Sequence, residues 1–217
     1  MTRIAHRSGD ASGTAGSGIF EQIKLGEDAW LEWWPQFLAP AERPSAPALA
    51  AELPLRTDTF AMFGRRVTVP RLIAWHGDPD CRYRYSGQTY EPAPWTPGLA
   101  RLRAILCERT GVAWNAVLAN YYRDGNDSVG WHADDERELG PTPDDIAIAS
   151  LSLGATRRFV MRHRARGTRR VIDLTDGSLL VMRGTTQKHW RHALPKTAAR
   201  VAPRLNLTFR VIRAACR

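Results

Sequence analysis

The sequence has little cysteine and no long apolar run. Its three cysteines, Cys81, Cys107 and Cys216, are an odd number, far apart and in no Cys-x-x-Cys arrangement. That argues against a disulfide framework and leaves reduced thiols, as in a cytosolic protein. No apolar stretch approaches the length needed to cross a bilayer, and Arg3, His6, Arg7 and Asp10 stand where a signal peptide would have its apolar core. A soluble, cytoplasmic protein without membrane contact is expected. Acidic charge is scarce too: 22 Asp and Glu face 31 Lys and Arg, a formal charge of +9, with a sequence pI of about 10.2. A protein so basic associates with polyanions, of which nucleic acid is the commonest.

With 217 residues the chain is long enough for one well-buried domain and short for two. Residues 1–18 hold Gly, Ser, Thr, Ala and charge with little to bury, so a flexible tail is expected there and one domain over 19–217. Trp30 to Leu38 predicts a first strand docking on the core, and Ala46 to Leu55 a helix kept short by Pro44, Pro47 and Pro54. Thr96 caps a predicted helix with Leu99, Leu102, Ile105 and Leu106 on one face, ending near Gly111. Hairpins are expected at about 59–90 and again over 171–182 around Asp176-Gly177.

The chemistry begins at Gly130-Trp131-His132-Ala133-Asp134. In an extended backbone, residues two apart project to one side, so His132 and Asp134 can reach a single metal ion together. A third ligand must come from His189 or His192, and their spacing alone does not choose between them. Two imidazoles and one carboxylate leave positions open on an octahedral ion, as in non-haem Fe(II) oxygenases and unlike closed structural zinc sites. Near the end of the chain, Arg204, Asn206, Thr208 and Arg210 alternate with Leu205, Leu207 and Phe209. Arginines on an inward face are costly unless an anion meets them, and a dicarboxylate suits guanidinium forks.

These residues, with Phe63-Gly64, Val69-Pro70-Arg71, Gly77-Asp78, Tyr83-Arg84-Tyr85-Ser86-Gly87, Asn120-Tyr121-Tyr122 and His189-Trp190-Arg191-His192-Ala193-Leu194-Pro195, resemble the AlkB family of Fe(II)/2-oxoglutarate dioxygenases. The similarity runs from about Phe60 to Ile212 and is greatest to the branch that repairs alkylated bases in duplex DNA. It implies a mostly β fold with flanking helices on one side, the jelly-roll-like double-stranded β-helix. It also implies Fe(II) on His132, Asp134 and His192, with O2 at the metal and 2-oxoglutarate bound by Asn120, Tyr122, Arg204, Asn206 and Arg210. The reaction implied is oxidative demethylation of bases such as 1-methyladenine and 3-methylcytosine, with release of succinate, CO2 and formaldehyde.

The resemblance further implies a base pocket of Tyr83, Tyr85 and Glu136 and a wedge entering the base stack at Phe63, beside Met62 and Gly64. Arg71 resembles a residue that contacts DNA near the vacated position. Between Arg157 and Arg170 stand seven arginines and one histidine with no acid; like charges repel unless an anion answers them, so Arg164, Arg166 and Arg169 are expected on phosphates. A monomer is expected. Competing readings are a related dioxygenase acting on RNA (tRNA) or protein, a zinc hydrolase, which leaves Arg204 and Arg210 without a role, and a non-catalytic nucleic-acid-binding module, which needs only the arginines.

Overall fold

The structure, a computed structural model, describes residues 20–62, 65–85, 88–140, 142 and 146–213, with the side chains of 60–67, 83–89 and 137 outside that description. The expected tail, and Phe63 and Gly64, lie outside the described residues; Met62, Tyr83 and Tyr85 are described in their backbone alone. In chain order the elements are Glu21–Gly26 (β1), Ala29–Trp34 (β2), Ala46–Ala51 (α1), Arg56–Met62 (β3), Arg65–Gly77 (β4), Tyr83–Tyr85 (β5), Gln88–Tyr90 (β6) and Pro97–Thr110 (α2). Then follow Ala116–Tyr122 (β7), Val129–His132 (β8), Ile148–Gly154 (β9), Arg157–His163 (β10), Arg169–Leu174 (β11), Leu179–Gly184 (β12), Thr186–His189 (α3), Trp190–Leu194 (β13) and Arg204–Arg210 (β14).

The strands form an eight-stranded sheet in the order β1-β2-β12-β9-β14-β7-β4-β3, a four-stranded sheet in the order β11-β10-β13-β8, and the β5–β6 pair. The period-two pattern of Arg204 to Arg210 makes β14 a central strand, paired antiparallel with β7 on one side and β9 on the other. Its Leu205, Leu207 and Phe209 pack under Leu49 of α1 and Leu99, Leu102 and Leu106 of α2, so the helices cover one face of the large sheet. The opposite face packs Ile148, Leu180 and Met182 against Phe159, Met161 and Leu174 of the small sheet. Two antiparallel sheets enclosing a core, with helices outside one of them, are the jelly-roll arrangement expected.

Local chemistry accounts for the ends of α2. Thr96 Oγ1 accepts from the Leu99 amide at 3.3 Å, and Gly111 closes the helix in the left-handed region at φ 66°. Pro70 sits inside β4 because the strand is bulged there: Thr57 faces Leu72 while Thr59 faces Thr68, so four residues of β4 answer two of β3, and the ladder does not need the missing N–H.

Two expectations are corrected. Residues 171–182 are not a hairpin: β11 pairs with β10 in the small sheet, whereas β12 pairs with β2 and β9 in the large one. The Asp176-Gly177 turn therefore carries the chain between sheets, a choice made by distant partners and not by turn chemistry. The strand at Trp30 is also the second and not the first. It is preceded by β1 through a tight turn at Glu27 and Asp28, both at positive φ (55° and 57°). Such turns ordinarily carry Asn-Gly, so the sequence lacks the usual signal.

Candidate metal centre and cosubstrate pocket

His132 ends β8, and His192 lies directly opposite it on β13; their ring centroids are 4.3 Å apart. Asp134 follows two residues after His132, with its carboxylate 3.4 Å from His192 Nε2. One ligand atom from each of the three lies within 4.8 Å of the others. The strand register thus selects His192, which the spacing of the histidines left open. Asp134 and His192 are each 4 % exposed.

The protonation states suit a cation. His132 Nδ1 is 2.8 Å from the Gly130 carbonyl, which can only accept, so Nδ1 carries the proton and Nε2 keeps its lone pair. Burial, reinforced by His192, pushes the His132 imidazole down to about 4. Burial alone would raise the Asp134 carboxyl, but Arg210 together with His192 and His132 holds it well below the usual carboxylate range. A neutral imidazole at His132 and an ionised carboxylate at Asp134 are forms a divalent metal needs. His192 Nδ1 is buried with no hydrogen-bond partner among the described residues. The donor set fits Fe(II). Gln187, absent from the expected residues, donates nothing to the metal but holds the loop: its Oε1 accepts from the Asp134 amide at 3.0 Å.

Asn120, Tyr122, Arg204, Asn206 and Arg210 line the same cavity as the three ligands. Arg210 is committed to Asp134. Arg204, opposite Tyr122 in register, is 1 % exposed. It donates to Ser152 Oγ at 2.9 Å and Asn206 Oδ1 at 2.8 Å, with its guanidinium 5.3 Å from the Tyr122 ring. Its Nε has no partner, and no carboxylate pairs with it among the described residues. Burial lowers the guanidinium to about 10, with Tyr122 opposing that shift. A buried cation without an anion, at one end of a cavity whose other end carries the metal ligands, fits a dicarboxylate. Ser152 was missed from the sequence, although Ser150 and Ser152 alternate with apolar neighbours in β9 and face the polar side of β14.

The remaining expectations fare differently. Arg71 is buried at 6 % exposure and donates to Asn120 Oδ1 at 2.6 Å, so it forms part of the wall of the cavity. Glu136 is half-buried just past Asp134. Arg164 pairs with Asp135 at 2.9 Å and Arg166 with Glu27, while Arg169 is exposed. The basic run contains no acid of its own, but the fold brings acids to it. His189 joins His163 on Glu27, at 3.1 and 3.0 Å. His163 Nδ1 accepts the Ala165 and Arg166 amides, which places its proton on Nε2 facing Glu27. A metal there would need that lone pair, so the cluster is a hydrogen-bonded strut.

A jelly roll with two histidines and a carboxylate at its open centre, facing a buried unneutralised arginine, defines a non-haem iron oxygenase that uses an oxo-acid. The chain belongs to the 2OG-Fe(II) oxygenase superfamily, whose model matches residues 31–210, and within it to the AlkB type. Its cofactors are Fe(II), 2-oxoglutarate and O2. It is 46 % identical over 159 residues to the mouse DNA oxidative demethylase ALKBH2, covering 70 % of this chain and 65 % of that protein. It is 45 % identical over 153 residues to the human alpha-ketoglutarate-dependent dioxygenase alkB homolog 3, covering 66 % and 52 %. The chain thus spans between half and two thirds of the length of these relatives. The solved structure of OsALKBH1 superposes with a TM-score of 0.60 over 88 % of this chain and 99 % of that one at 15 % identity, a likeness of fold alone.

Proposed function

We propose that the chain removes alkyl groups oxidatively from N-alkylated bases of DNA, among them 1-methyladenine and 3-methylcytosine. The observation that carries the reading is the set of half-buried His132 with buried Asp134 and His192, sharing one cavity with Arg204, which no carboxylate pairs among the described residues. The relatives, DNA oxidative demethylases among them, support DNA as the substrate, as does the charge of +9. When bound, Fe(II) and 2-oxoglutarate supply the oxidation, consuming O2 and releasing succinate and CO2, while an N-methyl group departs as formaldehyde.

The protein's own part is positioning. His132, Asp134 and His192 would hold the metal; Arg204, fixed by Ser152 and Asn206, would take the distal carboxylate beside Tyr122. Arg210, with Asn120 and Asn206, orients the near end, and Arg71 braces Asn120. Tyr83, Tyr85 and Glu136 receive the flipped base, and Phe63, beside Met62 and Gly64, fills the gap it leaves. Flipping costs a few kcal/mol of unstacking, least for a base that already cannot pair, so lesions that block Watson–Crick pairing are favoured. A monomeric, cytoplasmic protein completes the reading.

The test is recovery of unmodified adenine from 1-methyladenine in matched single-stranded DNA, duplex DNA and RNA. Recovery greatest on RNA would reassign the substrate. Phe63→Ala is expected to lower turnover on duplexes about tenfold more than on single strands, in line with an unstacking cost of a few kcal/mol. Equal losses on both would remove the wedge.

A further inference from the structure

The outer face of the small sheet carries a second feature that the iron site does not use. His132 and His192 point inward, so their neighbours Trp131 and Arg191 point out. Among the described residues, the two large apolar side chains that stand exposed, Trp131 at 42 % and Val171 at 57 %, are both on this face. Beside them runs a row of arginines in strict cross-strand register: Arg169 of β11 faces Arg162 of β10, which faces Arg191 of β13. Like charges directly opposite each other destabilise a sheet. Arg164, Arg166 and Arg158 are answered by Asp135, Glu27 and Asp173, but none of the row makes an ion pair among the described residues. The Arg162 guanidinium instead reaches across β13 to lie 5.1 Å from the Trp131 ring centroid.

We propose that this face is a docking platform for single-stranded nucleic acid, with the cross-strand arginines on its phosphates and an unpaired base stacked on Trp131. The partner is chosen by chemistry. A row of uncompensated guanidinium groups selects a polyanion, and an exposed indole beside them offers a π-face that every base can stack on without sequence preference. A duplex keeps its bases stacked on each other and could use only the arginines. The platform lies on the opposite side of the sheet from the metal ligands, so it would hold the strand at a point separate from the lesion pocket and raise the effective concentration of a tethered lesion there. This inference rests on the nucleic-acid reading of the iron site but not on the reaction.

Binding of unmodified oligothymidylate and of an unmodified duplex to the metal-free full chain, followed by fluorescence anisotropy across a salt series, tests it without any turnover. Trp131→Ala is expected to weaken the single strand about tenfold, by loss of one stacked base, and to leave the duplex nearly unchanged; Trp131→Phe should recover most of the loss. The double substitution Arg162→Ala with Arg191→Ala should make the single-strand salt slope shallower by about 1.4, two contacts at about 0.7 each. Both variants should keep wild-type turnover of a lesion presented in a trinucleotide too short to reach the platform. Unchanged single-strand affinity and slope in both variants would overturn the platform. So would equal losses on single strand and duplex for Trp131→Ala, and so would saturable binding of an acidic peptide that oligothymidylate fails to displace. A trinucleotide without turnover alongside intact, variant-sensitive oligothymidylate binding would sink the repair reading and leave the platform standing.

Discussion

Arg204→Ala is expected to raise the 2-oxoglutarate requirement by up to about 100-fold while leaving metal affinity near that of the native protein. Charge-assisted hydrogen bonds to a buried carboxylate are worth up to about 3 kcal/mol, and about 1.4 kcal/mol is a factor of ten. Arg204 has its Nε unpartnered and no carboxylate beside it among the described residues, so the anion it awaits is external. The same fact predicts an opposite effect on stability. Burying a cation without its counter-ion costs free energy, so Arg204→Met, which conserves most of the volume, should raise the unfolding temperature of the ligand-free protein while abolishing saturation by 2-oxoglutarate. Arg204→Lys keeps the charge but loses the fork, and should recover only part of the affinity. A 2-oxoglutarate requirement unchanged in Arg204→Ala would place the anion elsewhere.

Asp134→Ala should be the most damaging substitution in the site, for two separable reasons. It removes one of three metal ligands, and it leaves Arg210, 2 % exposed, without the carboxylate it pairs with. Breaking a buried ion pair from one side costs about 3–5 kcal/mol. Metal titration should therefore show loss of Fe(II) binding, and denaturant unfolding of the metal-free protein should show destabilisation of that order. His192→Ala should lose the metal as completely with a smaller loss of metal-free stability, since its Nδ1 makes no hydrogen bond to forfeit among the described residues. Asp134→Asn should unfold close to the native protein in the metal-free state only if Arg210 tolerates a neutral acceptor. Equal metal-free stability for Asp134→Ala and His192→Ala would show that the Asp134 and Arg210 pair carries no structural weight.

The site was legible in the sequence wherever periodicity carries it. Arg204, Asn206, Thr208 and Arg210 alternate with apolar residues, and a strand can only send them all to one side; β14 does so at the centre of the large sheet. His132 and Asp134 were legible for a similar reason. What required the fold is what depends on partners distant in sequence. The cross-strand pairing of His192 with His132 picks the third ligand, and it follows from β13 joining β8. Arg164 and Arg166 looked free because their acids, Asp135 and Glu27, lie outside the basic run. Nothing in the sequence marks Arg71 as buried, because one arginine carries no sign of burial, yet β4 turns it onto Asn120. Gln187 had no signal at all: a single helical turn places it under the Asp134 amide.

These cases share a rule. Side-chain direction follows from local period, whereas neutralisation of a charge and choice of sheet are decided by contacts across tens of residues, as the crossing of β11 and β12 into different sheets shows. The arginine row of the outer face is the informative remainder. Among the described residues, none of its cations makes an ion pair.

The most direct test of the central claim is the joint release of succinate and formaldehyde from a 1-methyladenine oligonucleotide with Fe(II) and 2-oxoglutarate, measured in air and under anaerobic conditions. The account predicts equal amounts of the two products, adenine restored in the same amount, and none of these without oxygen. Restoration of adenine under anaerobic conditions or without 2-oxoglutarate would contradict it, because His132, Asp134 and His192 would then be serving a hydrolytic metal and Arg204 would have no anion to bind.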